Sequence, residues 1–276
     1  MKITSIRKIG KSKIIKENDN IYVIKSKEKE LNKLFKYLDK REFTNHPNII
    51  EEDDKEIKYE YIEKDVIENS DEEIKIIALL HQKTTQNKKI SKRKHKDIYE
   101  KLISNIDYLK EYYEKIIRSI DEKTYMSPEE YHLARNYTLI YNALLSSEKD
   151  INTWYKQVQD KSTERVSVVH NNLKEDNFHK GEKTILLSWG KYIIDSTVLE
   201  LYKYLRNKSD NITNYLNEYN SINELSKEEK LLLKILLETP SKYEKTNNNI
   251  ENIRLLNDIY NNLRNINKAI ESGVFD

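Results

Sequence analysis

The 276-residue chain has no cysteine, only 4 glycines and 3 prolines, and no excess of either charge: 49 Lys and Arg stand against 47 Asp and Glu, a net +2. Without cysteine there is no disulfide framework, no thiolate nucleophile and no thiolate-held zinc or iron–sulfur centre. A near-neutral balance excludes the broad positive field of most nucleic-acid binders, so nucleic acid is not expected as a partner. Long apolar runs are also missing; stretches such as Ile76 to Leu80 and Leu231 to Leu233 fall far short of a membrane span. Met1 to Gly10 carries charges and no apolar core, so no secretory signal is expected and the cytoplasm is the expected location.

Apolar residues make up 37% of the chain and charged residues 35%, which implies an economical core under a densely ionic surface. Lys, Asn, Ile and Tyr are abundant where Gly, Pro and Ala are scarce, the usage an AT-rich bacterial genome produces. The 20 tyrosines are therefore read as filling cores and half-buried faces, not as a stacking platform for single strands.

Residues 1–64 read as a small β-rich lobe with one helix. Lys2 to Ile9, Lys13 to Glu17 and Ile21 to Lys25 are β-prone, with Asn18-Asp19-Asn20 marking a hairpin. Glu28 to Lys40 places Leu31, Leu34, Phe35 and Leu38 at helical spacing. After the break at His46-Pro47-Asn48, Ile49 to Glu52 and Glu56 to Glu63 form another strand pair. Residues 65–276 are mostly helical. A helix over Asp71 to Thr84 starts at a Ser70–Glu73 capping box, a long one spans Lys96 to Asp121, and Ser127-Pro128-Glu129-Glu130 opens another to about Ser146. A short helix is expected over Ile151 to Asp160. Then the period changes: Arg165 to His170, Thr184 to Leu187 and Tyr192 to Ile194 read as strands, and helices resume near Thr197, Asp210, Lys227 and Asn249.

The strand cluster at 165–195 carries the chemistry. His170, Asn172 and Asn177 lie on a strand-to-loop segment; a hairpin at Lys180-Gly181-Glu182 leads to Ser188-Trp189, and Glu200-Leu201 opens a helix. This arrangement resembles the aminoglycoside phosphotransferase, choline kinase and spore-coat kinase-like superfamily. Its catalytic loop reads H-x-D-x-x-x-x-N, followed by I-D-W or I-D-F and then D-L, and Ala78-Leu79-Leu80-His81 is similar to its L-x-x-L-H helix. The resemblance implies an α+β, two-lobed protein-kinase-like fold with a small β-rich N-lobe and a large helical C-lobe. It also implies ATP as the phosphate donor. Lys25 falls at the strand lysine that meets the α- and β-phosphates, with Glu28 or Glu30 as its helix partner and Glu30 favoured by the apolar face.

Two positions depart from the pattern. Asn172 stands where the family has its catalytic Asp, and a neutral amide cannot take a proton from an acceptor hydroxyl. Ser188 stands where the family has its metal-binding Asp, which leaves Asn177 as the retained ligand. Mg²⁺ favours carboxylates, so no metal is expected at this site. The glycine-rich turn is also absent, Gly10 being the only glycine before Gly181. The expectation is a pseudokinase that serves as a binding or scaffolding module for an unidentified protein partner, as in a spore coat, with nucleotide binding left open. The alternative is an active small-molecule phosphotransferase, with a choline- or aminoglycoside-like acceptor, that uses displaced carboxylates such as Glu175, Asp176 or Asp195. A third reading makes the tract Lys88 to Lys96 a basic adaptor surface. His170 is expected to hold the loop by hydrogen bonds, and Asp195 and Glu200 to tie down the helix near Thr197.

Overall fold

A computed structural model describes residues 3–9, 12–17, 20–27, 29–62, 70–179, 183–208 and 211–276. Along the chain run β1 (Ile3–Ile9), β2 (Ser12–Glu17), β3 (Asn20–Ser26), α1 (Leu31–Lys40), β4 (Ile49–Glu52), β5 (Glu56–Glu60), α2 (Ser70–Thr84), β6 (Gln86–Lys89), α3 (Lys94–Asp121) and α4 (Pro128–Val158). There follow β7 (Thr163–Val169), β8 (Phe178–His179), β9 (Ile185–Leu186), β10 (Ile193–Asp195), α5 (Val198–Arg206), α6 (Ile212–Ile222), α7 (Lys227–Glu238) and α8 (Asn249–Glu271). The fold is α+β, with the antiparallel sheet early in the chain and the helices dominating afterwards. Gly10, the turn at Asn18-Asp19, Glu28 and the turn at Lys180-Gly181-Glu182 lie outside the described residues.

Contacts divide the chain into two units: Met1–Gln86 with Arg165–Glu200 and Ser221–Asn223, and Asn87–Glu164 with Leu201–Asn220 and Glu224–Asp276. In the first unit the sheet runs β1-β2-β3-β5-β4, all antiparallel, and its register sets Lys25 of β3 opposite Ile57 of β5. The 3–4 spacing read in α1 is the spacing buried: Leu31, Leu34, Phe35 and Leu38 are all in the core. Each such side chain contributes about 1.5–3 kcal/mol on burial. Helix α2 presents Ile74, Ile77, Leu80 and His81 to the interior, all four fully buried. Its last turn is tied to β7 through hydroxyls. Ser167 Oγ donates to the His81 carbonyl at 3.0 Å, and Thr84 Oγ1 accepts from the Val168 N–H at 3.0 Å. These bonds fix the strand that delivers His170. The segment after α1 is fixed to β9 in turn, by Leu186 N–H to the Asn45 carbonyl at 2.9 Å and Asn45 Nδ2 to the Thr184 carbonyl at 2.8 Å.

The second unit is built on α3, α4, α7 and α8, whose shared core includes Ile106, Tyr113, Ile140, Leu144, Ile151, Trp154, Leu256 and Tyr260. Here the structure corrects the sequence reading: α4 runs unbroken from Pro128 to Val158, where a stop near Ser146 was expected. Ser147 is fully buried, and Thr239 Oγ1 approaches its Oγ at 3.3 Å, so the serine is a point of close packing between helices. Ile151, Trp154 and Val158 then continue the face begun by Ile140 and Leu144.

The tract Lys88 to Lys96, read as a basic surface, lies partly in regular structure. Lys88 and Lys89 end β6, and Lys94 opens α3. Lys94 pairs with Glu164, Lys96 with Glu100 at 3.6 Å and Arg93 with Asp97 at 3.9 Å. His95 is buried and bonds the Val158 carbonyl through Nδ1 at 2.9 Å. Much of the tract's charge is therefore answered locally, and Lys88, Lys89 and Lys92 remain exposed. Among the described residues no helix is long and apolar enough to cross a membrane.

Candidate functional site

Most of the residues singled out in the sequence fall within the first unit. Lys25, half-buried on β3, sends its ammonium to Ser188 Oγ at 3.2 Å, across 163 residues of sequence. Ser188 has φ 67°, in the left-handed region, where a non-glycine residue costs about 1–2 kcal/mol. That conformation lets the chain turn between β9 and Trp189. Trp189 is buried, donates its indole N–H to the Leu186 carbonyl at 2.6 Å, and meets the rings of His170, Phe35 and Phe43 edge-on. An aromatic cluster thus underlies the loop and fixes where Ser188 stands.

His170, Asn172 and Asn177 follow from β7. Asn177 is buried in a short 3₁₀ turn, and its Nδ2 donates to the Asn172 carbonyl at 2.7 Å, which closes the loop on itself. The Leu187 N–H donates to the Asn177 carbonyl at 2.8 Å. His170 is fully buried; its Nε2–H donates to the Leu187 carbonyl at 2.8 Å. Burial lowers the His170 pKa from 6.5 to about 4, and the pull of Glu200 and the Leu187 carbonyl toward the charged form is too weak to restore it. The imidazole is neutral at pH 7 and holds the loop, the role expected for it.

Glu200 proves to be the hub beneath the loop. Buried in the first turn of α5, its Oε2 accepts from His81 Nε2 at 2.9 Å and from the His170 N–H at 3.1 Å, while Oε1 accepts from the Asn171 N–H. The sequence reading placed Glu200 as an anchor for its own helix; the structure adds that it anchors the loop backbone and α2 as well. Asn171, not singled out in the sequence, adopts a left-handed φ of 57°, which turns its N–H onto Glu200. An asparagine at the start of a loop is the signal that could have drawn notice, since Asn tolerates that region better than most residues.

Glu30, read as the partner of Lys25, precedes α1 and pairs with Lys33 at 2.5 Å. Lys29 takes up a position that the sequence did not suggest: its ammonium bonds the Tyr192 carbonyl at 2.5 Å and lies 4.6 Å from that ring's centroid. Asp176 is exposed in the 3₁₀ turn, and Asp195 Oδ1 accepts from the Ser196 N–H at 2.9 Å. The motif positions Asn172, Asn177 and Ser188 offer two amides and a hydroxyl. Among the described residues no group of three or more His, Cys, Asp or Glu is placed to hold a metal ion. That donor set does not fit Mg²⁺, which needs anionic oxygen to offset the loss of its water. A phosphate oxygen, by contrast, suits the Lys25 ammonium and the Ser188 hydroxyl.

No family model matches this sequence, and no curated protein matches it. Solved structures do. An aminoglycoside phosphotransferase from Alicyclobacillus acidocaldarius superposes with a TM-score of 0.68 at 10% identity, over 98% of this chain and 91% of that one. A choline kinase from Streptococcus pneumoniae (TM-score 0.48, 13% identity, 98% and 93% coverage) and an AMP-bound spectinomycin phosphotransferase (0.48, 13%, 96% and 92%) also match. At such identities the likeness is one of architecture, and the chain has the protein-kinase-like fold of the aminoglycoside phosphotransferases.

Proposed function

We propose that this chain is a pseudokinase, a phosphotransferase fold retained for binding and not for transfer, with a nucleotide phosphate as the ligand its site suits best. The supporting observation is the 3.2 Å contact between Lys25 Nζ and Ser188 Oγ. The family pattern has a carboxylate at that position to hold the metal, and here a neutral hydroxyl faces the lysine. Asn172 removes the other carboxylate, so the loop has neither a proton acceptor at its motif position nor an anionic anchor for Mg²⁺. The buried Trp189, His170 and Glu200 keep the loop rigid all the same, as a binding surface requires.

Following thermal stability while ATP and ADP are added, with and without Mg²⁺, tests this. At a hundred times Kd, a ligand stabilises the folded state by about 2.7 kcal/mol. The expected result is a shift with nucleotide alone, unchanged by Mg²⁺ and lost in Lys25→Ala. A magnesium-dependent shift, or phosphate transfer to a small alcohol that stops on Asp176→Asn or Asp195→Asn, would establish the active-enzyme alternative in its place. No shift under any condition removes the nucleotide and leaves a fold kept for its outer surfaces.

A further inference from the structure

One stretch of the chain carries charge and hydrogen-bonding groups that the proposed function leaves unused. Strand β6 ends the sheet ordered β10-β7-β6, so it has β7 along one edge and, among the described residues, no strand along the other. Gln86, Asn87, Lys88 and Lys89 are all exposed, and none of the four is apolar. Just beyond them the Ile90 N–H donates to the Ser162 carbonyl at 3.0 Å, which holds the end of the strand in place. Ser91, Lys92 and Arg93 follow, also exposed. Glu164 is taken by Lys94 and Glu100 by Lys96. Among the described residues no carboxylate pairs with Lys88, Lys89 or Lys92, and Arg93 meets Asp97 only at 3.9 Å.

An open strand edge presents backbone N–H and C=O groups that another extended segment can complete. Lysines on such an edge repel a second copy of the same strand, which brings the same charges, and attract a strand of opposite charge. Successive residues of a strand point to opposite faces, so Lys88 and Lys89 flank the edge on both sides. Two adjacent acidic residues in an incoming strand meet one lysine each, and Lys92 and Arg93 extend the positive charge past the end of β6. Nucleic acid can use this charge but not the ladder, and Lys88 to Arg93 contains no aromatic side chain for a base to stack on. A lipid surface favours an apolar face, which β6 lacks. We propose that β6 is a docking edge for a protein partner, which adds to the sheet an extended segment carrying adjacent Asp or Glu residues.

The probe is a short fluorescein-labelled peptide of threonine and valine with two central glutamates, titrated into the full chain and followed by anisotropy. It is expected to bind at least tenfold more tightly than its lysine counterpart, and to weaken as salt is raised. Backbone N–H groups of a strand alternate between its two edges, so the peptide is also made with either alternating set methylated. One set removes the ladder to β6 and should weaken binding at least tenfold; the other keeps the ladder and should leave it little changed. The double variant Lys88→Glu, Lys89→Glu should reverse the preference, losing the acidic peptide and gaining the lysine one, which a misfolded protein does not do. No binding of the acidic peptide at low salt, equal affinity for the acidic and lysine peptides, or equal affinity for both methylated sets would overturn the proposal. So would tighter binding of oligothymidylate or of phosphatidylserine vesicles than of the acidic peptide, since either assigns the lysines to a different class of partner.

Discussion

Glu200→Ala should cost about 3–5 kcal/mol of stability, a large share of what holds a domain folded. The carboxylate is buried, and its two oxygens take three donors: His81 Nε2, the His170 N–H and the Asn171 N–H. Removing it takes this acceptor from two backbone N–H groups and an imidazole N–H, and a buried donor that loses its acceptor costs about 1–3 kcal/mol. Glu200→Gln keeps one acceptor oxygen but points an amide N–H₂ toward donors, so it should fall between alanine and wild type. Urea midpoints of the three proteins give the order directly, and the m-value shows whether unfolding stays two-state. A loss below about 1 kcal/mol in Glu200→Ala would mean that the loop is held by something else.

Acid titration should expose His170. In the unfolded chain this residue gains its proton near pH 6.5; in the folded chain it does so only at about 4. Between those values the unfolded state binds more protons, so stability is complete above pH 6.5, falls as the pH drops and levels off below about 4. The shift corresponds to about 3 kcal/mol. Glu130 and Glu228, whose lysine partners lower them from 4.5 to about 2, lose their contributions in the next window down, from about pH 4.5 to 2. Burial lowers the pKa of His95 too, so some slope above pH 4.5 belongs to it. The measurement is therefore the difference between wild type and His170→Asn, followed by thermal or urea unfolding from pH 7 to 4. It should shrink steadily as the pH falls. A constant difference over that range would show that the imidazole is not what the acid limb reports.

The elements visible in advance were those whose burial follows a simple period. Leu31, Leu34, Phe35 and Leu38 of α1 read as one helical face and are one. The alternation after Arg165 marks β7. What escaped has a reason in each case. The Ser146-Ser147 pair looks like a helix stop because serine is a weak helix former, but a small buried side chain is what lets another segment approach there. Strand β6 is exposed at all four positions and so has no apolar pattern to find. At the site, motif spacing pointed to Lys25, Asn172, Asn177 and Ser188. It could not show that Ser188 holds a left-handed backbone or that Glu200 reaches three partners, because both depend on contacts distant in sequence.

The segment between α7 and α8 has no regular structure, yet it is held along much of its length. Tyr112 and Tyr113 donate their hydroxyls to the carbonyls of Tyr243 and Ser241, Lys245 pairs with Glu129 at 3.1 Å, and Asn252 bonds both the N–H and the carbonyl of Thr246. An irregular loop is usually where proteases cut and amide hydrogens exchange first. This one should instead exchange with the helices around it, since opening it would strip two tyrosines and an asparagine of their acceptors at once. Because most of these bonds end on its backbone, its side chains can vary while its path stays fixed, although by shape alone it would pass for a tether.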